Sequence, residues 1–389
     1  MWRAKQDWEE FNDLGMSIPN STKVCSHHFD NYGLKEFVLR NADWGNCDYC
    51  NSKRKVIAIA DLLKFIGQQI NYFYRSADDE SISFESREGG YQGPVFDGYD
   101  LLEKIELDVD NDILRKHIST CFQNQMWCKK NPFDPFENKI LLYNWNKFSE
   151  TVKHKSRYVF FQTDFNESYY DTPVHNILNR IGRIVEDLSL FKSIKIGTKI
   201  YRSRQHKNEN DILSGKNITS PPNEYAKFSN RMSPAGISMF YGGFDSKTCY
   251  LETVDFKKIL DNPYYTTAYF KNNRVLTLID LTKLPEIPSI FDESWGKFLY
   301  VILFMKDFIK DLSKDIARDD KEHYEYVPTQ IVTEFFRYSF KAQNKIPVDG
   351  IIYPSAKNRD KNALVLFFDN KASLDVLEYE PLSKKTMKL

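Results

Sequence analysis

The sequence predicts an α+β protein in two parts: a mainly helical first half that carries a metal knuckle, and a second half in which strands and helices mix. Three observations carry that prediction. Apolar residues recur every three or four positions over 54–76, as Ile59, Leu62, Leu63, Ile66, Ile70 and Phe73, and again over 173–191, as Ile177, Ile181, Ile184 and Leu188. Two short pairs of metal-ligating residue types, C-x2-H and C-x2-C, lie between 25 and 50. After residue 194, strand-like runs, turns and helices follow one another without the strict β–α alternation of a doubly wound sheet, and no Gly-x-Gly-x-x-Gly or Walker loop accompanies them.

The chain of 389 residues is too long for one ordinary core and suits two domains, with a boundary near 190 that gives 1–190 and 191–389. Its 54 basic and 54 acidic residues cancel, so no global field favours nucleic acid or an acidic membrane surface. With 29 Phe and 23 Tyr, there is material for a large core. No apolar run is long enough for a membrane span. The polar start MWRAKQDWEEFNDL lacks the apolar stretch of an export signal, and six cysteines in so long a chain do not form a disulfide framework. A reducing, cytoplasmic setting is therefore expected.

Taken in order, residues 1–24 read as a short helix and a loop rich in Ser and Asn. The knuckle follows, over about 20–52. Residues 54–76 read as one helix, 77–97 as a glycine-bearing loop, and 99–106 and 111–128 as further helices. Cys121 and Cys128, seven apart, read as buried thiols on one helical face. The stretch 138–170 is polar and aromatic and contains the strand-like YVFFQT. The helix over 173–191 closes the first half. IKIGTKIYRSRQ then reads as strand, turn at Gly197, strand; 205–230 is a polar loop. Ile237 to Tyr241 read as a half-buried strand ended by Gly242 and Gly243. Asp245 or Ser246 then caps a helix carrying Thr248, Leu251 and Glu252. Two strands joined at Asn272–Asn273 occupy 265–281, helices occupy 295–312 and 326–340, and 350–370 reads as strand, loop, strand.

Cys25 and His28 form the first ligand pair and Cys47 and Cys50 the second, with eighteen residues between them. Two short loops that each offer two such ligands can close a tetrahedron around zinc, and Gly45 supplies the loose backbone such a knuckle needs. Four protein ligands leave no open position, which makes the zinc structural rather than catalytic. His27 is the alternative to His28, and the spacing does not decide between them.

YRSR at 201–204, RMSPAGISMFYGGFDSKTCYLE at 231–252, YVPTQ at 326–330 and GIIYPSA at 350–356 resemble the RES domain, a family named for an Arg, a Glu and a Ser. The knuckle segment is similar to the N-terminal domain of some larger RES proteins, grouped with HEPN-type helical domains. The resemblance implies an ADP-ribosyltransferase-like fold over roughly 190–380 and NAD as substrate. In toxin–antitoxin pairs such domains deplete NAD or transfer ADP-ribose and are held in check by a helix-turn-helix antitoxin. It also implies that Arg202, Glu252 and Ser355 are the naming residues and that Arg231 and Tyr241 line the same pocket. The loop after the serine, KNRDKN, departs from the glycine-containing loop common in the family.

The residue types fit that chemistry. Breaking the nicotinamide–ribose bond builds positive charge on the sugar, which a carboxylate such as Glu252 stabilises. A guanidinium from Arg202 or Arg231, with Arg204 in reserve, grips a diphosphate as a fixed fork of donors. Tyr241 can stack on a flat ring, and Ser355 can donate to a ribose or phosphate. Taken singly, each has a plainer structural role: a surface ion pair, a core ring, a solvated helix carboxylate, a loop cap. Only their joint spacing, read against the family they resemble, singles them out. The expectation is an NAD-degrading enzyme using water or phosphate as acceptor. The alternatives are an ADP-ribosyltransferase acting on a protein and a non-enzymatic module for a partner or nucleic acid. Arg115 and His117 stand too close for the R-x4-6-H arrangement of HEPN ribonucleases, so that activity is not expected. An inhibitor and a second copy of the chain remain open as partners.

Overall fold

The computed structural model describes residues 2–162, 173–314, 321–341 and 347–389. Two compact units emerge. The first takes Met1–Glu137 with Pro285–Leu303, and the second Asn138–Leu284 with Phe304–Leu389. These units depart from a single cut at 190, because the helices of 138–190 pack with the second unit and 285–303 packs with the first.

In the first unit, Trp2–Asp13, Tyr32–Asn41, Ile59–Ile70, Gly98–Lys104 and Asp112–Cys121 are helices. Their apolar faces meet in one core that includes Leu34, Leu62, Leu63, Ile66, Leu101, Leu114 and Trp127. The predicted helix over 54–76 is shorter than expected. Lys53–Ala58 is instead a strand, paired with Asp43–Asn46 on one side and Lys23–Cys25 on the other. Val56 and Ile57 are buried in it, and period-2 and period-3.6 burial overlap where it meets the helix at Ile59. The predicted 111–128 helix stops at Cys121, and Cys128 lies on a strand, Trp127–Lys129. Both thiols are buried, but they do not share a helical face.

The second unit is built on a nine-stranded sheet. Its strands are β1 (Phe191–Ile194), β2 (Lys199–His206), β3 (Phe240–Gly243), β4 (Tyr264–Asn272), β5 (Leu276–Asp280), β6 (Gly350–Pro354), β7 (Asn362–Leu366), β8 (Leu377–Tyr379) and β9 (Lys385–Lys388). The order is β8-β4-β2-β3-β7-β6-β5-β1, with β9 also on β4. Only β5 and β6 run parallel. Strands β6 and β7 are buried nearly throughout and read as continuous apolar runs, as central strands must. β4 and β5 follow each other in the chain but have four strands between them in the sheet, so they do not form a hairpin.

The helices Glu137–Glu150, Asn176–Asp187, Ser246–Thr253 and Val327–Glu334 belong to this unit. The first was not anticipated; its Leu141, Trp145 and Phe148 make a buried face that neighbouring polar residues dilute in the sequence. YVFFQT contains a 3-10 turn at Phe160–Gln162 rather than a strand, and its Thr163 lies outside the described residues. Among the described residues, no helix is long and apolar enough to cross a membrane.

Candidate functional site

Strand β3 approaches β2 through glycine. A Cβ on Gly242 would lie 2.6 Å from the Tyr201 carbonyl oxygen, so only glycine permits the pairing of Tyr201 with Gly243. One residue further along β2, the half-buried Arg202 donates from Nη1 to the Tyr241 carbonyl at 2.8 Å, and its guanidinium lies 4.9 Å from the centre of the Phe240 ring. Desolvation, reinforced by the like charge of Arg204, pushes this guanidinium down to about 10, which leaves it cationic at neutral pH. Its buried Nε has no hydrogen-bond partner among the described residues. A buried, unmet donor on a cation is the kind of group a ligand oxygen would satisfy.

The Tyr241 phenol is held from the loop before it. Its oxygen accepts from the Met232 amide at 3.3 Å and bonds the Ser233 hydroxyl at 2.9 Å. Burial pushes the phenol up to about 12.

Glu252 stands near the end of the helix Ser246–Thr253. Asp245 is the N-cap, accepting from the Thr248 amide at 2.8 Å and the Thr248 hydroxyl at 2.7 Å. Ser355 follows β6. Its Oγ accepts from the amides of Asn358, at 3.0 Å, and Lys357, at 3.3 Å, which leaves its own hydrogen to donate to Glu252 Oε1. Asn358 Nδ2 reaches back to the Thr248 hydroxyl at 2.7 Å and so ties the serine loop to the glutamate helix. The loop KNRDKN turns without glycine because Asp360 takes a left-handed φ of 61°, a conformation Asp adopts more readily than most residues.

Arg231 is placed differently from the other named residues. Its Nη1 donates to the carbonyls of Leu312, at 2.9 Å, and Lys314. It thereby satisfies one carbonyl in the last turn of the helix Leu299–Ser313 and one just past its end, with a cation where the helix dipole favours one. The YVPTQ block explains itself here. Thr329 donates to the Arg231 carbonyl, and Gln330 Nε2 donates to the Ser229 hydroxyl and the Asn230 carbonyl, both at 2.8 Å. That helix therefore fixes the loop that in turn fixes Tyr241.

Tyr353 was not anticipated. It pairs with Ala363 and Tyr241 pairs with Val365, two residues along the same strand β7, so both tyrosines face the same side of the sheet. Tyr353 is buried, and burial first and the charge of Glu252 second push its phenol well above the usual range. Tyr241 and Arg231 are also within electrostatic reach. A tyrosine in the otherwise aliphatic run GIIYP was the available signal, since a buried strand rarely takes a phenol without reason.

In the first unit, Cys25, His28, Cys47 and Cys50 present ligand atoms that all lie within 4.8 Å of one another. The geometry fits a tetrahedral ion. Zinc with sulfur at about 2.3 Å and nitrogen at about 2.0–2.1 Å requires edges of about 3.8 Å between sulfurs and about 3.6 Å between sulfur and nitrogen. The Cys25–Cys50 separation is 3.8 Å, far beyond a disulfide, and Cys47 Sγ to His28 Nε2 is 3.4 Å. His28 is 4% exposed and turned into the cluster, whereas His27 is exposed. Residues 23–25 and 43–46 flank the strand Lys53–Ala58, and this sheet brings the two loops together.

No curated protein matches the chain. Residues 40–166 match HEPN/RES N-terminal domain 1, and residues 199–384 match the RES domain. The second match contains all four blocks singled out above and the first contains Cys47 and Cys50; the chain belongs to the RES-domain family, with a HEPN/RES N-terminal domain ahead of its RES domain.

Proposed function

We propose that the RES domain of this chain cleaves NAD at the nicotinamide–ribose bond, with water or phosphate as acceptor. The observation that carries this reading is the hydrogen bond from Ser355 to Glu252, which joins segments 103 residues apart beside the buried phenol of Tyr353. As the C1′–N bond breaks, its electron pair leaves with nicotinamide, a neutral ring, so no general acid is required. Positive charge grows on the ribose, and the Glu252 carboxylate stabilises it. Ser355 holds one oxygen of that carboxylate and leaves the other for the substrate. Arg202, with its unmet Nε, takes a phosphate oxygen. Tyr241, fixed by Ser233 and Met232, offers a face to the nicotinamide ring. The acceptor oxygen then adds to C1′; a water acceptor loses its proton to solvent. Positioning and electrostatics supply the rate.

We further propose that the Cys25, His28, Cys47 and Cys50 cluster holds a structural zinc. All four positions are taken by protein ligands, so when bound the ion supplies cross-linking rather than a reactive water.

Mass spectrometry of NAD incubated with the protein, with and without phosphate, tests the enzymatic reading. Nicotinamide with ADP-ribose, or with its phosphate ester, supports it. ADP-ribose added to a protein in a lysate moves the assignment to transfer. Intact NAD in all mixtures contradicts it.

A further inference from the structure

The metal cluster is enclosed by a segment sixty to eighty residues further along the chain, and the ligand spacing gives no hint of it. His28 points Nε2 at Cys47 Sγ, 3.4 Å away, and donates from Nδ1 to Asp110 Oδ1 at 2.6 Å. The backbone sets that contact. The Asp110 amide donates to the His28 carbonyl at 3.2 Å, and Phe29 and Val109 form an antiparallel bridge beside it. The His28 side chain is 5% exposed and that of Asp110 57%. The carboxylate thus reaches in from solvent to the outer edge of a buried ring.

Two neighbours grip the knuckle without touching a ligand. Asn111 Nδ2 donates to the Tyr49 carbonyl at 3.3 Å, and His117 Nδ1 meets the Tyr49 hydroxyl at 3.1 Å. Tyr49 lies between Asp48 and Cys50, and its ring stands edge-on to His28, with centres 6.1 Å apart.

We infer that Asp110 is the positioning residue that sets the metal affinity of this cluster, acting through His28. With a hydrogen held on Nδ1, the imidazole presents its lone pair at Nε2, and a carboxylate behind the ring makes that nitrogen a stronger donor to a cation. Asn111 and His117 act on the shape of the knuckle alone. The inference rests on the zinc reading above.

The test is zinc competition against a chromophoric chelator, using the full chain and its Asp110→Ala, Asp110→Asn and Asn111→Ala variants, with circular dichroism at saturating zinc. Asp110→Ala should weaken zinc binding by roughly 10- to 100-fold while the zinc-saturated spectrum matches wild type. Asp110→Asn, which still accepts from Nδ1, should fall between the two. Asn111→Ala, which also loses the cap on Leu114, should lower thermal stability with a much smaller change in zinc affinity. Zinc held by Asp110→Ala as tightly as by wild type overturns the inference alone. So does Asn111→Ala weakening binding as much as Asp110→Ala, since the effect would then be one of shape. Wild-type protein that binds no zinc overturns the zinc reading and this inference together.

Discussion

Asn358 donates to the Thr248 hydroxyl at 2.7 Å, and this bond ties the loop that carries Ser355 to the helix that carries Glu252. Neither residue belongs to the naming Arg, Glu and Ser, yet the pair keeps the serine and the glutamate in register. Removing Ser355 takes a hydrogen bond from a carboxylate, about 1.5–3 kcal/mol. Ser355→Ala should therefore lower kcat for NAD cleavage by about 10- to 100-fold with a smaller change in KM. Asn358→Ala leaves the hydroxyl and loosens its loop, so its loss should be smaller. Steady-state nicotinamide release ranks the two, and an Asn358→Ala loss exceeding that of Ser355→Ala would contradict the order.

Gly242 lets β3 lie against β2. Gly242→Ala puts a methyl 2.6 Å from the Tyr201 carbonyl and must push the strands apart just where Arg202 reaches Tyr241. Overpacking of this kind costs about 1–3 kcal/mol. Denaturant unfolding should show that loss together with weakened NAD binding; wild-type stability would mean the strands part freely.

The Tyr241 phenol titrates near 12 in the fold, against an ordinary value of 10.0. The unfolded chain releases this proton first. Its contribution to stability is complete below about pH 10 and is lost as pH rises towards about 12. Tyr241→Phe has no proton to release. Its stability should be lower at neutral pH, for want of the bond to Ser233, but should decline less than wild type between about pH 9 and 11. Parallel declines in urea midpoint over that interval would contradict the burial of this phenol.

The metal cluster separates two kinds of buried cysteine. Cys47→Ser removes a ligand and should leave the protein with far less than one zinc per chain and a lower melting temperature. Cys121→Ser alters a buried thiol in the same unit outside the cluster and should retain zinc. Elemental analysis of both variants decides, and equal zinc in the two would refute the ligand set.

Local chemistry was legible in the sequence and long-range pairing was not. The knuckle could be read because its four ligands lie within 25–50 and tetrahedral coordination restricts their spacing; only the choice of His28 over His27 needed burial. The helix after Asp245 could be read because a cap acts within three residues. The strand Lys53–Ala58 was missed because partners as distant as Lys23–Cys25 hold it. β4 and β5 could be read as two strands joined at Asn272–Asn273, but nothing local records the four strands that separate them in the sheet. At the candidate site, the naming residues stood out through family resemblance. Tyr353, Gln330 and Asn358 did not, because their roles depend on residues about a hundred positions away.

In the proposed reaction Glu252, held by Ser355, stabilises the ribose as nicotinamide leaves. Nicotinamide release from NAD by Glu252→Gln tests it most directly, since the amide keeps the shape and can still accept from Ser355 but carries no charge. Release should fall by at least about 100-fold in a variant with a wild-type circular dichroism spectrum and melting temperature. Release at the wild-type rate would contradict the claim.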